Sequence, residues 1–151
     1  MSEAEVPEDF GELLVGIHRV VRRRLRQDLA GPRLRGAQVE LLRLVGARPG
    51  IGVSAAAREL HLAGNSVSTL VNQLVAAGLL ERRTDPGDRR AVRLTITAEA
   101  ADRLVDWDAR RSALVRRQVA GLTEHDRTAL AEAVPALRRL AASLHEELEG
   151  E

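Results

Sequence analysis

Apolar residues recur along most of this chain at helical spacing, and the rhythm changes clearly in one place, residues 79–97. Residues 1–7 read as frayed. From Pro7 onward Leu13, Leu14, Ile17, Val20, Val21 and Leu25 repeat near a 3.6-residue period and predict a helix to about Ala30. Pro7 suits a first-turn position, Glu8 and Asp9 complement the helix dipole, and Gly31-Pro32 stops the helix. A second helix is predicted over about Arg35–Ala47, burying Val39, Leu41 and Leu42 and ending at Arg48-Pro49-Gly50. Ile51 to Val53 is extended, with room for a short strand. Ser54 is read as the N-cap of a short helix to about His61.

A further helix over about Asn65–Ala77 places Val67, Leu70, Val71 and Leu74 on one face, and Gly78 is the expected left-handed C-cap. Two short strand-like runs then flank a Pro86-Gly87 turn. Thr97 caps a long helix to about Ala120, and Gly121 breaks it. Thr123 with Asp126 resembles a capping box opening a last helix to about Leu148, which Pro135 should kink or split. The expected fold is therefore mainly α with a small β-hairpin. There is no internal repeat and no low-complexity linker.

The outward face of the helix near residue 70 presents Asn65, Ser66, Ser68, Thr69, Asn72 and Gln73, small hydrogen-bonding side chains close to a helix N-terminus. Such an end fits a major groove about 12 Å wide. The short helix before it would fix its angle, as in a helix-turn-helix. The hairpin behind it then acts as a wing. Arg89 or Arg90 at its tip suits a narrow minor groove, with Asp88 orienting a neighbouring guanidinium through a bidentate pair. Arg82, Arg83 and Arg93 are better placed for phosphates, which supply affinity and salt dependence but little sequence information. The competing readings are an ordinary solvated helix face and a hairpin whose charges only keep an edge strand soluble.

Composition changes the picture modestly. The 151 residues suit one domain, or two small lobes sharing a subunit interface. Net charge is only +1, but all 23 basic residues are arginine, and residues 81–93 hold five of them against three acids. The C-terminus is acidic at Glu146, Glu147, Glu149 and Glu151. No apolar run approaches the roughly 20 residues of a membrane span, and no secretory apolar segment follows Met1, so a cytoplasmic protein is expected. The absence of cysteine excludes disulfides and thiolate metal sites. Phe10 and Trp107 are the only aromatic residues, too few for base-stacking platforms. No catalytic constellation or phosphate loop is present, and neither an enzymatic activity nor a cofactor is expected. His18, His61, His125 and His145 lack close metal-ligand spacing.

The run Asp85-Pro86-Gly87-Asp88-Arg89-Arg90-Ala91-Val92-Arg93-Leu94-Thr95-Ile96-Thr97 resembles the wing signature of the MarR (multiple antibiotic resistance regulator) family. Ser66-Val67-Ser68-Thr69-Leu70-Val71-Asn72-Gln73-Leu74, closed by Gly78-Leu79-Leu80, is similar to that family's recognition helix and its exit. The resemblance implies a winged helix-turn-helix at residues 35–97, flanked by dimerisation helices at 1–34 and 98–151, in one continuous domain of about 8–148. It implies a homodimeric transcription factor on pseudo-palindromic double-stranded DNA, more readily a repressor, with a small-molecule effector possible and no membrane partner. Carried over, it nominates Asn65, Ser66, Ser68, Thr69 and Gln73 for the major groove and Arg89 with Arg90 for the wing; Ser54, Arg82, Arg83 and Asp88 complete the residues expected at DNA. The sequence departs from the family's pattern in three places. Thr69 and Gln73 stand where arginines are frequent, Asn72 is neutral where an acid often braces a wing arginine, and Ala63-Gly64 leaves the recognition helix to be capped by Gly64 or Asn65.

Leu13, Leu14, Ile17 and Val21 cannot all be covered by the winged helix, nor can Leu130, Val134, Leu137, Leu140, Leu144 and Leu148. These seams imply a second copy related by a two-fold axis, the alternative being a helical bundle within one chain. Two-fold symmetry would set half-sites about 10 base pairs apart. Arg19, Arg22, Arg23 and Arg26 share one face of the first helix, for solvation, phosphate contact or pairing with the acidic tail. Trp107 is a packing anchor or part of an effector pocket. The rival functional class is a winged-helix module that binds proteins, which would tolerate loss of Arg89 and Arg90.

Overall fold

The computed structural model describes residues 7–27 and 33–149. The order is α1 (Phe10–Gln27), α2 (Gly36–Ala47), α3 (Val53–Glu59), α4 (Gly64–Ala76), β1 (Leu80–Thr84), β2 (Val92–Ile96), α5 (Ala98–Ala120) and α6 (Glu124–Glu149). The mainly helical fold with one hairpin is as the periodicity predicts. The expected ends at Ala30 and Gly31-Pro32, the frayed residues 1–6 and the Leu148 side chain lie outside the described residues. Backbone contacts divide the chain into two units, one reaching Arg110 and the other running from Arg111.

The first unit is built on a core of Leu41, Leu42 and Val45 from α2, Val67, Val71 and Leu74 from α4, and Leu79, Leu80 and Leu94 from the hairpin. Full burial of each such side chain is worth about 1.5–3 kcal/mol. In α2 the buried set is Leu41, Leu42 and Val45, whereas Val39 is only half-buried. The inward face is thus turned toward the helix C-terminus, where Gly46 lets β2 approach. A Cβ at that position would stand 3.1 Å from Ile96 Cδ1.

Three local expectations about where helices start are corrected. The first helix begins at Phe10 and not at Pro7, because the Pro7 carbonyl accepts the Phe10 N–H at 2.9 Å in a turn, and the helical ladder opens at the Asp9 carbonyl. Ile51–Val53 makes no strand beyond a single bridge between Gly52 and Arg93. Leu94 exchanges bonds with Gly50 (2.8 Å) and Ile51 (3.0 Å), and this holds Gly52 extended as the N-cap of α3. Helix therefore starts at Val53, and Ser54 is an exposed residue inside the first turn and not its cap. Residue 63 is the third case. Ala63 is the extended N-cap of α4, with no side chain capping it, so neither Gly64 nor Asn65 serves.

Helix α4 ends as expected. Gly78 takes φ +71° and the Leu79 N–H returns to the Leu74 carbonyl at 2.9 Å, closing the left-handed turn that directs the chain into β1. The antiparallel register runs from Leu80↔Ile96 to Thr84↔Val92. Thr97 closes the hairpin base: its Oγ1 accepts the Ala100 N–H at 3.2 Å, capping α5, while its hydroxyl donates to the Gly78 carbonyl at 2.9 Å. Arg43 spans from α2 to α5 through two bonds to Asp108, at 3.0 and 2.6 Å. Hydrogen bonding to Asp108 raises the Arg43 pKa further above its ordinary value.

In the second unit Gly121 ends α5, and Thr123 caps α6 with Asp126: Thr123 Oγ1 accepts the Asp126 N–H at 3.2 Å and donates its hydroxyl to Asp126 Oδ2 at 2.6 Å. Helix α6 is not split at Pro135. Loss of one N–H removes one ladder bond, and the flanking turns retain theirs. Among the described residues no helix is long and apolar enough to cross a membrane.

Because Thr97 serves both the α5 cap and the Gly78 turn, Thr97→Val should destabilise the protein by roughly 1–2 kcal/mol in denaturant unfolding. A loss of under about 0.3 kcal/mol would show that neither bond matters to folding.

Candidate nucleic-acid interface

Helix α4 presents Asn65, Ser66, Ser68, Thr69, Asn72 and Gln73 on an exposed face opposite its buried Val67, Val71 and Leu74. Two of the hydroxyls are already oriented. Ser68 donates to the Gly64 carbonyl at 2.9 Å and Thr69 to the Asn65 carbonyl at 3.0 Å, leaving their oxygens as acceptors toward solvent. Asn65 Oδ1 accepts the Ser66 N–H at 2.8 Å. Ser54, on α3, is exposed but makes no bond to this face.

The hairpin is fastened to that face. An Arg82 guanidinium on β1 donates to Asn72 Oδ1 on α4, so the neutral amide takes the bracing place expected of an acid. Gln38, near the start of α2, donates from Nε2 to Gln73 Oε1 at 3.0 Å, while its own Oε1 accepts the Arg35 N–H at 2.8 Å. Sequence reasoning overlooked Gln38. A glutamine three residues after an N-cap is a capping signal, but Arg35 is not a residue that advertises one.

The wing tip differs from expectation in which acid does what. Asp88 does not hold a guanidinium: its Oδ1 accepts the Arg90 backbone N–H at 2.9 Å and its carbonyl accepts the Ala91 N–H at 3.0 Å, making it the turn former. Asp85 takes the charge-pairing role. It accepts the Gly87 N–H at 2.8 Å and pairs with Arg93 at 2.5–2.6 Å. Asp85 follows directly on β1 and meets Arg93 of β2, whereas Asp88, in the turn, is consumed by backbone. Arg83 leans on Glu81 at 3.3 Å. Arg89 and Arg90 remain exposed at the tip, and among the described residues neither guanidinium has a partner.

Elsewhere in the first unit Val15, His18, Arg19, Arg22, Arg23, Arg26 and Arg33 line a concavity of about 640 Å³ along α1. Trp107 is half-buried. Among the described residues no group of histidine and acidic side chains could hold a metal ion. Apolar side chains stay uncovered on α1, at Leu13, Leu14, Ile17 and Val20, with Val21 half-buried. On α6 Leu130, Val134, Leu137, Leu140 and Leu144 are 36–54% exposed, far above what a core position shows.

A family model described as MarR family matches residues 34–91, the stretch that carries α2 to the wing tip. No curated protein sequence matches the chain. Solved structures of similar fold include Streptococcus pneumoniae FabT in complex with DNA, 22% identical with a TM-score of 0.69 over 91% of this chain and 98% of that one. The transcriptional regulator Tm0710 from Thermotoga maritima is 23% identical, TM-score 0.70, over 92% and 98%. Staphylococcus aureus MepR bound to ethidium bromide is 20% identical, TM-score 0.61, over 89% and 96%.

The Gly87 N–H first, and the Arg93 guanidinium second, hold the Asp85 carboxyl below its ordinary value of 3.8. A lowered carboxyl stabilises the wing fully above that ordinary value and loses the contribution as pH falls through the lower folded one. The Gly87 amide resonance should therefore titrate with a midpoint below 3.8, and Asp85→Asn should abolish the transition; a midpoint at or above 3.8 would contradict the pairing.

Proposed function

We propose that this chain, whose residues 34–91 match a MarR-family model, is a DNA-binding transcriptional regulator that acts as a cytoplasmic homodimer on a pseudo-palindromic operator. The observation that carries the reading is the fastening of the wing to the polar face of α4. Arg82 bonded to Asn72 presents that face and the free Arg89 and Arg90 as one surface. Asn65, Ser66, Ser68, Thr69 and Gln73 meet base edges and Ser54 the backbone; Arg89 and Arg90 enter the minor groove, with Asp88 shaping the turn that carries them. Arg82 and Arg83 add charge near phosphates. The DNA-bound relative of the same fold supports this use of the surface.

The uncovered apolar rows on α1 and α6 support the dimer, because a lone chain would leave both in water. In that assembly residues 1–34 and 98–151 serve dimerisation and 35–97 serve DNA. Repression follows where the operator overlaps a promoter, and a small-molecule effector would act by changing the separation of the two reading helices. The ethidium-bound relative supports an effector of that kind. Binding, and not catalysis, is the activity assigned.

Sedimentation at micromolar concentration should give a dimer. In titrations of the upstream region of its own gene, Arg89→Ala with Arg90→Ala should weaken binding at least about tenfold and flatten its salt dependence by about two phosphate contacts. A monomer, or unchanged affinity in the double variant, would favour a protein-binding winged helix instead.

A further inference from the structure

The amide of Gln73 is held in one orientation by a chain of hydrogen bonds whose direction a backbone group dictates. Oxygen and nitrogen of a glutamine amide are ordinarily interchangeable by a flip. Here they are not. The Arg35 N–H can only donate, so the Gln38 atom 2.8 Å from it must be Oε1. That turns Gln38 Nε2 toward Gln73, and since an NH2 group only donates, the Gln73 atom facing it at 3.0 Å must be Oε1. The Gln73 Nε2, with both its hydrogens, is thereby left as the outward end of an exposed side chain on the polar face of α4.

We infer that Gln38 is a positioning residue that sets base preference through Gln73, making it a hydrogen-bond donor toward the major groove. This inference rests on the DNA-reading function proposed above and adds what Gln73 selects. Guanine and thymine present a keto oxygen in the major groove, O6 or O4, whereas adenine and cytosine present an amino group, N6 or N4. A free glutamine amide satisfies either kind by flipping. An amide locked with Nε2 outward meets a keto oxygen or a purine N7, and leaves cytosine, which offers only its N4 amino group, facing another donor. The base opposite Gln73 is accordingly guanine, thymine or adenine, and not cytosine.

The substitution Gln38→Glu isolates this effect. A carboxylate still accepts the Arg35 N–H, so the helix cap survives and a negative charge near an α2 N-terminus is favourable. It cannot donate to Gln73. Its second oxygen accepts from Gln73 Nε2, which flips the Gln73 amide and puts Oε1 outward. Gln38→Met removes the chain of bonds without imposing the opposite direction.

The test is selection from a randomised duplex library by the full-length protein, with Gln38→Glu, Gln38→Met, Gln73→Ala and the Gln38→Glu, Gln73→Ala double variant. The position that loses its preference in Gln73→Ala identifies the base read by Gln73. There the unsubstituted protein should favour guanine or thymine over cytosine by about tenfold, the size of one base contact. Gln38→Glu should invert the ratio, Gln38→Met should flatten it, and the double variant should match Gln73→Ala alone. Equal preference in Gln38→Glu and the unsubstituted protein overturns the inference and leaves the DNA-reading function intact, as does a Gln73→Ala selection unchanged at every position. Failure of the unsubstituted protein to enrich any duplex overturns that function and the inference together.

Discussion

The geometry of the candidate interface depends on one closure, the pairing of the Gly78 turn with Thr97. The chain leaves α4 through a left-handed glycine, runs out and back through the hairpin, and returns to within a hydrogen bond of where it left. Leu79, Leu80 and Leu94 bury the base of the hairpin beneath this closure. Three buried leucines outweigh the roughly 1 kcal/mol of a typical hydrogen bond, so packing decides that the hairpin stands where it does. The Thr97 hydroxyl ties the hairpin base to α5, because it bonds the Gly78 turn and also caps α5. Reading helix, wing and the start of α5 are consequently one body.

That body is economical with charge. Five arginines lie between residues 81 and 93, but the fold engages three of them: Arg83 with Glu81, Arg93 with Asp85, and Arg82 with the Asn72 amide. Exposed pairs of this sort add little stability, about 0–1 kcal/mol each. What they supply is order. A wing fixed before binding has less side-chain and loop freedom to lose on binding, and that saving adds to affinity. Arg82 differs from the other two, since an amide braces its guanidinium without neutralising it. Within the hairpin the guanidiniums not paired with a carboxylate are therefore Arg82, Arg89 and Arg90, a smaller set than the five that residues 81–93 display.

Much of this was legible from residue order alone. Helices whose apolar spacing is regular and whose caps are local, such as α5 with Thr97 and α6 with Thr123 and Asp126, begin where the sequence says they should. The left-handed Gly78 and the exposed polar face of α4 were equally plain. Errors arose where a distant strand competes with a local signal. Ser54 has good capping chemistry, yet Leu94, forty residues on, holds the chain in the geometry that makes Gly52 the cap. Asp88 sits beside two arginines in sequence, but the tight turn spends its carboxylate on a backbone N–H, while Asp85 reaches across the hairpin to Arg93. Gln38 lies 35 residues from Gln73, and no short-range pattern links an α2 capping residue to the face of α4.

The remaining apolar surface obeys a different logic. On α6 the leucines and valine at 130, 134, 137, 140 and 144 fall at coiled-coil-like intervals, yet the single chain shields none of them as it shields Leu41 or Leu74. A row of that regularity is specified by packing, not by solubility, and packing needs a facing surface. In the proposed dimer the facing surface is another copy, so covering these rows and holding two reading helices at a fixed distance become the same event. Stability and DNA affinity then share a dependence on protein concentration, since both draw on the interface that exists only between copies. Core residues of the first unit, whose contacts lie within one chain, would instead contribute to stability at any dilution.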